Sequence, residues 1–145
     1  MLVQIAIGTL ILLVNILLAA LASLVLEVAF RRWHRWLVTA PQRPKLILML
    51  VCVGIWVLGI VTICVWIWAL ALWSLGAFPT VEEAVYFSLV AFSTLGLGDV
   101  VPPQAWRIFG VMAAVNGFLS FGLLTALMVE ALRQVRLSQL ELRRD

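Results

Sequence analysis

Three long apolar stretches dominate the chain, and most polar residues lie between them or after them. The stretches run from about Leu2 to Phe30, from Leu46 to Leu75 and from Trp106 to Leu132. Each is longer than the roughly 20 apolar residues that a helix needs to cross the hydrocarbon core of a bilayer. The pattern therefore predicts an all-α membrane protein with three transmembrane helices.

A fourth, shorter apolar stretch lies between the second and third spans. Gly76 and Pro79 interrupt the second helix, and Thr80 with Glu83 has the spacing of a capping box. The sequence predicts a further helix over 81–93, which is too short to cross a membrane.

The segment 93-STLGLGDVVPP-103 follows this short helix and combines glycines, prolines and an aspartate. Such a composition favours non-helical backbone. A short apolar helix followed by non-helical backbone predicts a re-entrant loop. At membrane depth such backbone persists only where it is buried in protein or lines a wet cavity, so this segment is the candidate functional site.

Basic residues are distributed unequally between the polar segments. The segments 31–45 and 133–145 carry nearly all of them, namely Arg31, Arg32, Arg35, Arg43, Lys45, Arg133, Arg136, Arg143 and Arg144. The segment between the second and third spans has Arg107 against Glu82, Glu83 and Asp99. Because lysine and arginine mark cytoplasmic loops, we expect a multi-pass protein of the cell membrane, with the N-terminus outside and the C-terminus in the cytoplasm.

The composition narrows the class further. With 65% hydrophobic and 12% charged residues, the chain cannot readily build a water-soluble surface, and its expected surroundings are the lipid bilayer. The net charge of +3 does not indicate a nucleic-acid partner, because the basic residues lie where a membrane protein needs them. His34 stands alone and Cys52 and Cys64 lie in an apolar stretch, so neither an enzyme nor a cofactor is expected.

The first span could in principle be a signal peptide, since 18-LAALAS-23 has the small residues of a cleavage site. No basic residue precedes it, however, and the apolar run continues to Phe30. Both features favour a retained helix. Asn15, in the middle of this span, is expected to form hydrogen bonds between helices, with a part in conduction as the alternative.

Two motifs resemble potassium channels. The run Thr94-Leu95-Gly96-Leu97-Gly98-Asp99 resembles the filter motif usually read T-V-G-Y-G-D, and 116-NGFLSFGLLTAL-127 resembles the inner helix of bacterial two-transmembrane potassium channels. The resemblance covers about Leu46 to Leu132, and the first helix lies outside it. It implies a four-fold homotetramer that passes monovalent cations, with potassium as the expected ion, through rings of backbone carbonyls.

The resemblance also implies roles for individual residues and a division of the chain. The ion ligands would be the carbonyls of Thr94, Leu95, Gly96 and Leu97 with the Thr94 hydroxyl, in a filter completed by Gly98. The inner helix would have a hinge-like glycine, Gly117, and would turn Phe118, Phe121 and Thr125 towards the cavity. The predicted units are an N-terminal helix (1–30), a basic cytoplasmic loop (31–45), a pore domain (46–132, with filter 94–99 and inner helix 106–132) and a cytoplasmic tail (133–145).

Leu97 departs from the family pattern, which has a tyrosine bonded to the pore helix at this place. Counting back from Thr94, the matching partners here are Phe87 and Ala91, and both are apolar. The hydroxyl and its partners are thus lost together, which can be nearly neutral, and Leu97 is expected to pack on Phe87. The GLG form also resembles the second pore loop of some two-pore-domain potassium channels, but it leaves selectivity over sodium open.

Asp99 is expected to accept a hydrogen bond from Tyr86, which matches an aromatic donor on the pore helix of many family members. The alternative is a hydrated Asp99 that attracts cations at the outer mouth. For the whole protein, the alternatives to a potassium channel are a weakly selective channel, a non-conducting membrane subunit that acts through protein interactions, and a transporter. The tail could form either a short tetrameric bundle or an interfacial helix.

Overall fold

The computed structural model describes residues 2–38 and 42–141, and within these ranges it is helical throughout apart from the connections. The helices are α1 (Leu2–Val38), α2 (Gln42–Ser74), α3 (Val81–Phe92) and α4 (Arg107–Glu141), with a 3₁₀ turn at Gln104–Trp106 before α4. Three of them are long and apolar enough to cross a membrane, over Leu2–Ala29, Ile47–Ser74 and Gln104–Glu130. The predicted all-α class with three spans is therefore confirmed.

The helices are longer than their apolar spans. α1 continues to Val38 and α2 begins at Gln42, so most of the segment 31–45, predicted as a loop, is helical. No glycine or proline lies between Phe30 and Val38, and extending a formed helix adds one hydrogen bond for each residue fixed. α4 likewise continues into the predicted tail as far as Glu141. The side chains of Trp33, His34 and Trp36 lie outside the described residues.

The end of α2 is fixed by a Schellman motif. Gly76 has a φ of 70°, and its amide donates to the carbonyl of Trp73 while the amide of Ala77 donates to the carbonyl of Leu72. Only glycine adopts such a positive φ without steric cost, and the motif satisfies carbonyls that the helix end leaves unpaired. The prediction that Gly76 interrupts the second helix is thus confirmed, and the chain turns here towards α3.

The start of α3 is capped as the sequence predicts. Thr80 has extended dihedrals, and its hydroxyl accepts a 3.2 Å hydrogen bond from the amide of Glu83. Glu82 and Glu83 lie in the first turn, where the helix dipole favours negative charge. α3 ends at Phe92, so it is a short helix of 12 residues packed against α2 and α4.

One apolar core surrounds α3. Trp68 of α2 and Phe109 of α4 are fully buried, and their ring centroids lie 4.9 Å apart. Ala84 and Ala91 present their small side chains to the same core cluster. The spacing of 84, 88 and 91 places one face of α3 in this core, and its other face remains exposed in a single chain.

The N-terminal helix packs on both α2 and α4. Its more buried positions recur at intervals of three or four residues, at Gln4, Gly8, Ile11, Asn15, Ala19, Ala22 and Leu26. The Gln4 amide donates a hydrogen bond to the carbonyl of Ala105, at the start of the third span. These positions form one face that extends from Gln4 to Leu26, so α1 packs along the length of α4.

Asn15 lies within this seam and is only 2% exposed. Neither its amide nitrogen nor its carbonyl oxygen has a hydrogen-bond partner among the residues that the structure describes, and the amide nitrogen of buried Asn116 is likewise unpaired there. The predicted interhelical hydrogen bond of Asn15 is therefore not formed directly in a single chain.

Candidate functional site

The glycine-rich segment begins as a continuation of the hydrogen bonding at the end of α3. The amides of Ser93 and Thr94 donate to the carbonyls of Leu89 and Ala91, and the amide of Leu95 donates to the carbonyl of Val90 at 3.1 Å. The first amides after the helix thus face back into α3.

Along the segment, residues with a positive φ alternate with residues whose φ is not positive. Thr94, Gly96 and Gly98 have φ values of 59°, 60° and 79°, whereas Leu95 and Leu97 between them are not in the positive-φ region. In an ordinary strand successive carbonyls point to opposite sides, but a residue of opposite hand at every second position turns them to one side. The glycines permit this geometry without steric cost. A row of carbonyl oxygens on one side of a segment is what a cation needs in place of its hydration shell.

Thr94 adopts this conformation without being a glycine. A β-branched residue with positive φ is a genuine outlier, and such strain persists where the surrounding structure enforces it, commonly at functional sites. Here the backbone amides of Thr94 and Leu95 donate hydrogen bonds to carbonyls near the end of α3, and these bonds hold the turn in place.

The segment is open in a single chain. Residues 94–99 are all exposed, although they lie between helices that are long and apolar enough to span a membrane. Unpaired backbone at membrane depth needs protein or water around it. Among the described residues, no group of three His, Cys, Asp or Glu side chains could hold a metal ion.

The outer end of the segment is tied to α3 by a side-chain hydrogen bond. The Tyr86 hydroxyl donates to Oδ2 of Asp99 at 2.5 Å, and Oδ1 of Asp99 accepts from the amide of Val100 at 3.0 Å. The hydrogen bond from Tyr86 holds the pKa of Asp99 below its ordinary value, and the same bond raises the pKa of the phenol. The predicted Tyr86–Asp99 bond is confirmed.

Replacing Tyr86 with phenylalanine keeps the ring and removes the donor, so it isolates this bond. We expect Tyr86→Phe to leave assembly intact but to give faster loss of current, because the outer end of the segment is no longer tied to α3. Asp99→Asn should act in the same direction, and the double variant should lose less than the sum of both effects, since contacting residues are rarely additive. Single-channel recording of all three variants checks this, and fully additive effects would contradict the tether.

The same bond predicts a pH dependence. Because the pKa of Asp99 is lowered in the folded state, the stabilisation is present above the ordinary carboxylate range and is lost as the pH falls through the lowered pKa. The stability of Tyr86→Phe should therefore approach that of the parent under strong acid.

Leu97 and its predicted partners differ in burial within one chain. Leu97 is 60% exposed, whereas the ring of Phe87 lies 5.2 Å from that of Phe78, centroid to centroid, inside the core. Phe87 also lies against Gly110, where an added Cβ would be 3.0 Å from its ring. Ala91 is buried in the same core. Packing of Leu97 on these side chains, of the same chain or of a neighbouring copy, stays a prediction.

Leu97→Tyr tests that packing. If Leu97 meets Phe87 and Ala91 of a neighbour, the new hydroxyl is buried without a partner, at a cost of about 1–3 kcal/mol per chain. We expect a lower thermal midpoint and reduced conduction. Leu97→Met, which adds no polar group, serves as the control. Equal stability of Leu97→Tyr and the parent would contradict the compensation argument.

Gly117 lies where α4 crosses the end of α3. An added Cβ at this position would overlap the backbone carbonyl group of Phe92, with the Phe92 Cα and carbonyl carbon both 2.6 Å away. The sequence motif predicted a hinge here. The structure shows a further requirement, a close approach of two backbones, and it was not visible in the motif.

The three predicted cavity residues lie on one side of α4. Phe118 and Phe121 are 72% and 46% exposed, and Thr125 is exposed as well. The ring of Phe121 also lies 5.9 Å from that of Phe92 in centroid distance, beneath the glycine-rich segment. Ala113 and Leu124 of the same helix are buried instead. The exposed face is thus available to a cavity or to a neighbouring subunit.

Two residues of the site gave no distinct signal in the sequence. Val90 supplies the carbonyl that accepts from Leu95, but an accepting carbonyl leaves no trace in residue type. Gly110 allows the close approach of Phe87 and Pro102, and a lone glycine in an apolar helix is a weak signal.

Comparison with protein families agrees with this geometry. A family model described as "Ion channel" matches residues 55–134, which cover α3, the glycine-rich segment and most of α2 and α4. The chain therefore belongs to this ion channel family, and it is not a member of an enzyme family. α1 lies outside the matched residues. No curated protein and no solved structure gave a significant match.

Proposed function

We propose that the protein is a homotetrameric channel that conducts potassium through a filter built from the carbonyls of Thr94, Leu95, Gly96 and Leu97. The observation that carries the proposal is the alternation of backbone hand at 94, 96 and 98, combined with amides that face back into α3. Such a segment offers its carbonyl oxygens on one side, and dehydrated potassium needs oxygens in place of its water shell.

The tetrameric state is supported by the exposure of the filter segment. One chain contributes one row of carbonyls and leaves 94–99 uncovered. Four such rows around a common axis enclose an ion and bury the exposed backbone, as in the carbonyl rings of potassium-selective filters. Gly98 completes each row, and the Tyr86–Asp99 bond supports its outer end.

The orientation follows from charge. Arg31 and Arg32 lie at the far end of the first span from Gln4, and Arg133 lies just beyond the third span. Basic residues at these two ends support a cytoplasmic location for both of them. The filter, which lies near the opposite ends, then faces the outside.

Potassium flux into liposomes tests the proposal. Purified protein reconstituted into vesicles should dissipate a potassium gradient when a protonophore balances the charge, and it should dissipate a sodium gradient more slowly. Equal rates for the two ions would support a weakly selective channel instead. Intact, inserted protein without flux of either ion would favour a non-conducting subunit.

The cavity face of α4 gives a second test. Cysteines placed at Phe118, Phe121 and Thr125 should react with small aqueous thiol reagents in open channels, whereas cysteines at Ala113 and Leu124 should be protected. The background needs alanine at Cys52 and Cys64. Protection at the three cavity positions with reactivity at the two control positions would show that a different face of α4 lines the pore.

A further inference from the structure

Within the described residues, each of the four helices buries a side chain that has an unpaired polar atom. These side chains are Asn15 of α1, Trp68 of α2, Ser88 of α3 and Asn116 of α4, and each is at most 2% exposed. The unpaired atoms are both polar atoms of Asn15, the Trp68 indole nitrogen, the Ser88 hydroxyl and the Asn116 amide nitrogen. Buried polar groups in folded proteins nearly always have a hydrogen-bond partner, so this set calls for one.

The four residues lie where two apolar clusters meet. The first cluster, with the side chains packed on it, includes Leu12, Trp68, Ala91 and Ala113, and the second includes Ala22, Val65, Phe92 and Leu124. Along α1 and α4, Asn15 and Asn116 come after the residues of the first cluster and before those of the second. Trp68 lies three residues from the second cluster on α2, and Ser88 lies one turn before it on α3. We refer to Asn15, Trp68, Ser88 and Asn116 as the polar layer.

The contacts between α1 and α4 give the heights of the two asparagines. The two helices start side by side, and an added Cβ at Gly8 would be 3.5 Å from the Cβ of Met112. From this contact, Asn15 lies about 10 Å further along α1 and Asn116 about 6 Å further along α4. A displacement of roughly one helical turn suits two hydrogen bonds through a bridging molecule better than one direct bond of about 3 Å.

The surroundings of the polar layer suit water as the bridging molecule. Three of its members have a buried alanine one turn away on the same helix, namely Ala19, Ala91 and Ala113, and these small side chains leave room beside the polar groups. A buried water typically has two to four polar partners. The layer offers amide and indole donors, the Asn15 carbonyl as an acceptor, and a hydroxyl that can do both. Because these side chains are inaccessible even in a single chain, a neighbouring subunit does not reach them.

We propose that the polar layer binds ordered water, which links α1 by hydrogen bonds to α3 and α4. Asn116 directly precedes Gly117, where α4 crosses the end of α3. α1 lies outside the residues matched by the ion channel family, so the water site joins the additional helix to the crossing that positions the glycine-rich segment. This role does not depend on which ion the protein conducts.

X-ray radiolysis in heavy-oxygen water tests the site. Hydroxyl radicals formed from a bound water attach labelled oxygen to the nearest reactive side chain, and mass spectrometry locates the label. Trp68 is fully buried, and it should be labelled in the assembled, full-length protein. Met49 is the control, because it is also buried but belongs to a cluster of apolar side chains away from the polar layer. It should be labelled much less.

Variants of the asparagines connect the label to the polar layer. The double variant Asn15→Leu/Asn116→Leu keeps a similar side-chain volume but removes both amides, so labelling of Trp68 should fall close to that of Met49. Asn15→Ser keeps a polar group and enlarges the space, so labelling should persist, and this variant also serves if the leucine variants fail to assemble. Gln4→Leu removes another hydrogen bond between α1 and α4 and should leave the labelling unchanged.

Thermal unfolding provides a second measurement. Asn15→Leu and Asn116→Leu should each lower the midpoint, because each leaves the remaining polar groups short of a partner. The double variant should lose clearly less than the sum of the two shifts. Gln4→Leu combined with Asn116→Leu should be additive, since Gln4 lies about 12 Å from the level of Asn116.

Each of three results would contradict the water site. Labelling of Trp68 no higher than that of Met49 would show that the layer holds no water. Labelling that persists in the double leucine variant would place the water elsewhere. A high-resolution map with a direct hydrogen bond between Asn15 and Asn116, and no density that bridges the layer, would show that the asparagines pair with each other.

Discussion

Replacing Gly117 with alanine is expected to prevent formation of the native pore. The added methyl group would overlap the carbonyl group of Phe92, and because this neighbour is backbone, no side-chain rotation relieves the overlap. α4 would have to move away from the end of α3, which positions the filter. Overpacking of this kind costs about 3 kcal/mol or more for each chain. The expected result is loss of the assembled species in size-exclusion chromatography together with loss of ion flux.

Gly122→Ala is the matched control in the same helix. Gly122 is exposed, and an added Cβ there meets nothing within 4 Å. This variant should assemble normally and should gain up to about 1 kcal/mol in helix propensity. If Gly117→Ala instead behaves like Gly122→Ala, the close approach of α4 to α3 is not a feature of the working protein.

Replacing Gly96 with alanine is expected to abolish selective conduction while leaving most of the fold intact. Gly96 has a φ of 60° in the middle of the proposed filter, and a residue with a Cβ costs about 1–2 kcal/mol there. In a single chain the surroundings are open, so we expect rotation of the adjoining peptide groups to relieve the strain. That rotation turns a carbonyl away from the ion path. Ion flux should fall to background, although the protein still inserts and assembles.

Gly76→Ala is the control that separates the effect of backbone strain on stability from an effect on conduction. Gly76 has a similar φ of 70° and equally open surroundings, but it lies in the turn after α2. The substitution should lower thermal stability to a similar extent while potassium flux is retained. Parallel loss of flux in both variants would mean that conduction follows general stability rather than the geometry of the filter.

Much of this architecture could be predicted from residue patterns. Span length, the Thr80 cap and the turn at Gly76 each depend on local chemistry that is readable in the sequence. The Tyr86–Asp99 bond could be predicted from a motif position, because a donor and an acceptor of suitable type are both visible. The membrane class follows from the same kind of signal, the length and composition of the apolar stretches.

Other features depend on contacts between distant segments. The requirement for glycine at 117 arises from the backbone of Phe92. The strained conformation of Thr94 is imposed by hydrogen bonds to α3, since threonine has no preference for positive φ. The sequence predicts the basic segment after Phe30 as a loop because it connects two apolar spans, but the end of an apolar span is not by itself the end of a helix.

The face of α1 that packs on its neighbours could not be predicted from the residues of α1 alone. Its apolar side chains surround the helix, so they do not show which face meets the pore. Gln4 and Asn15 are the polar exceptions that lie on that face, and either could equally have faced another partner.

The reversal potential of single channels in a planar bilayer tests the central claim most directly. With potassium on one side and sodium on the other, the parent protein should show unitary currents that reverse far towards the potassium equilibrium potential. Gly96→Ala should show none, and Gly76→Ala should match the parent. A reversal potential near zero, or no unitary current from inserted and assembled protein, would contradict a potassium-selective filter at residues 94–98.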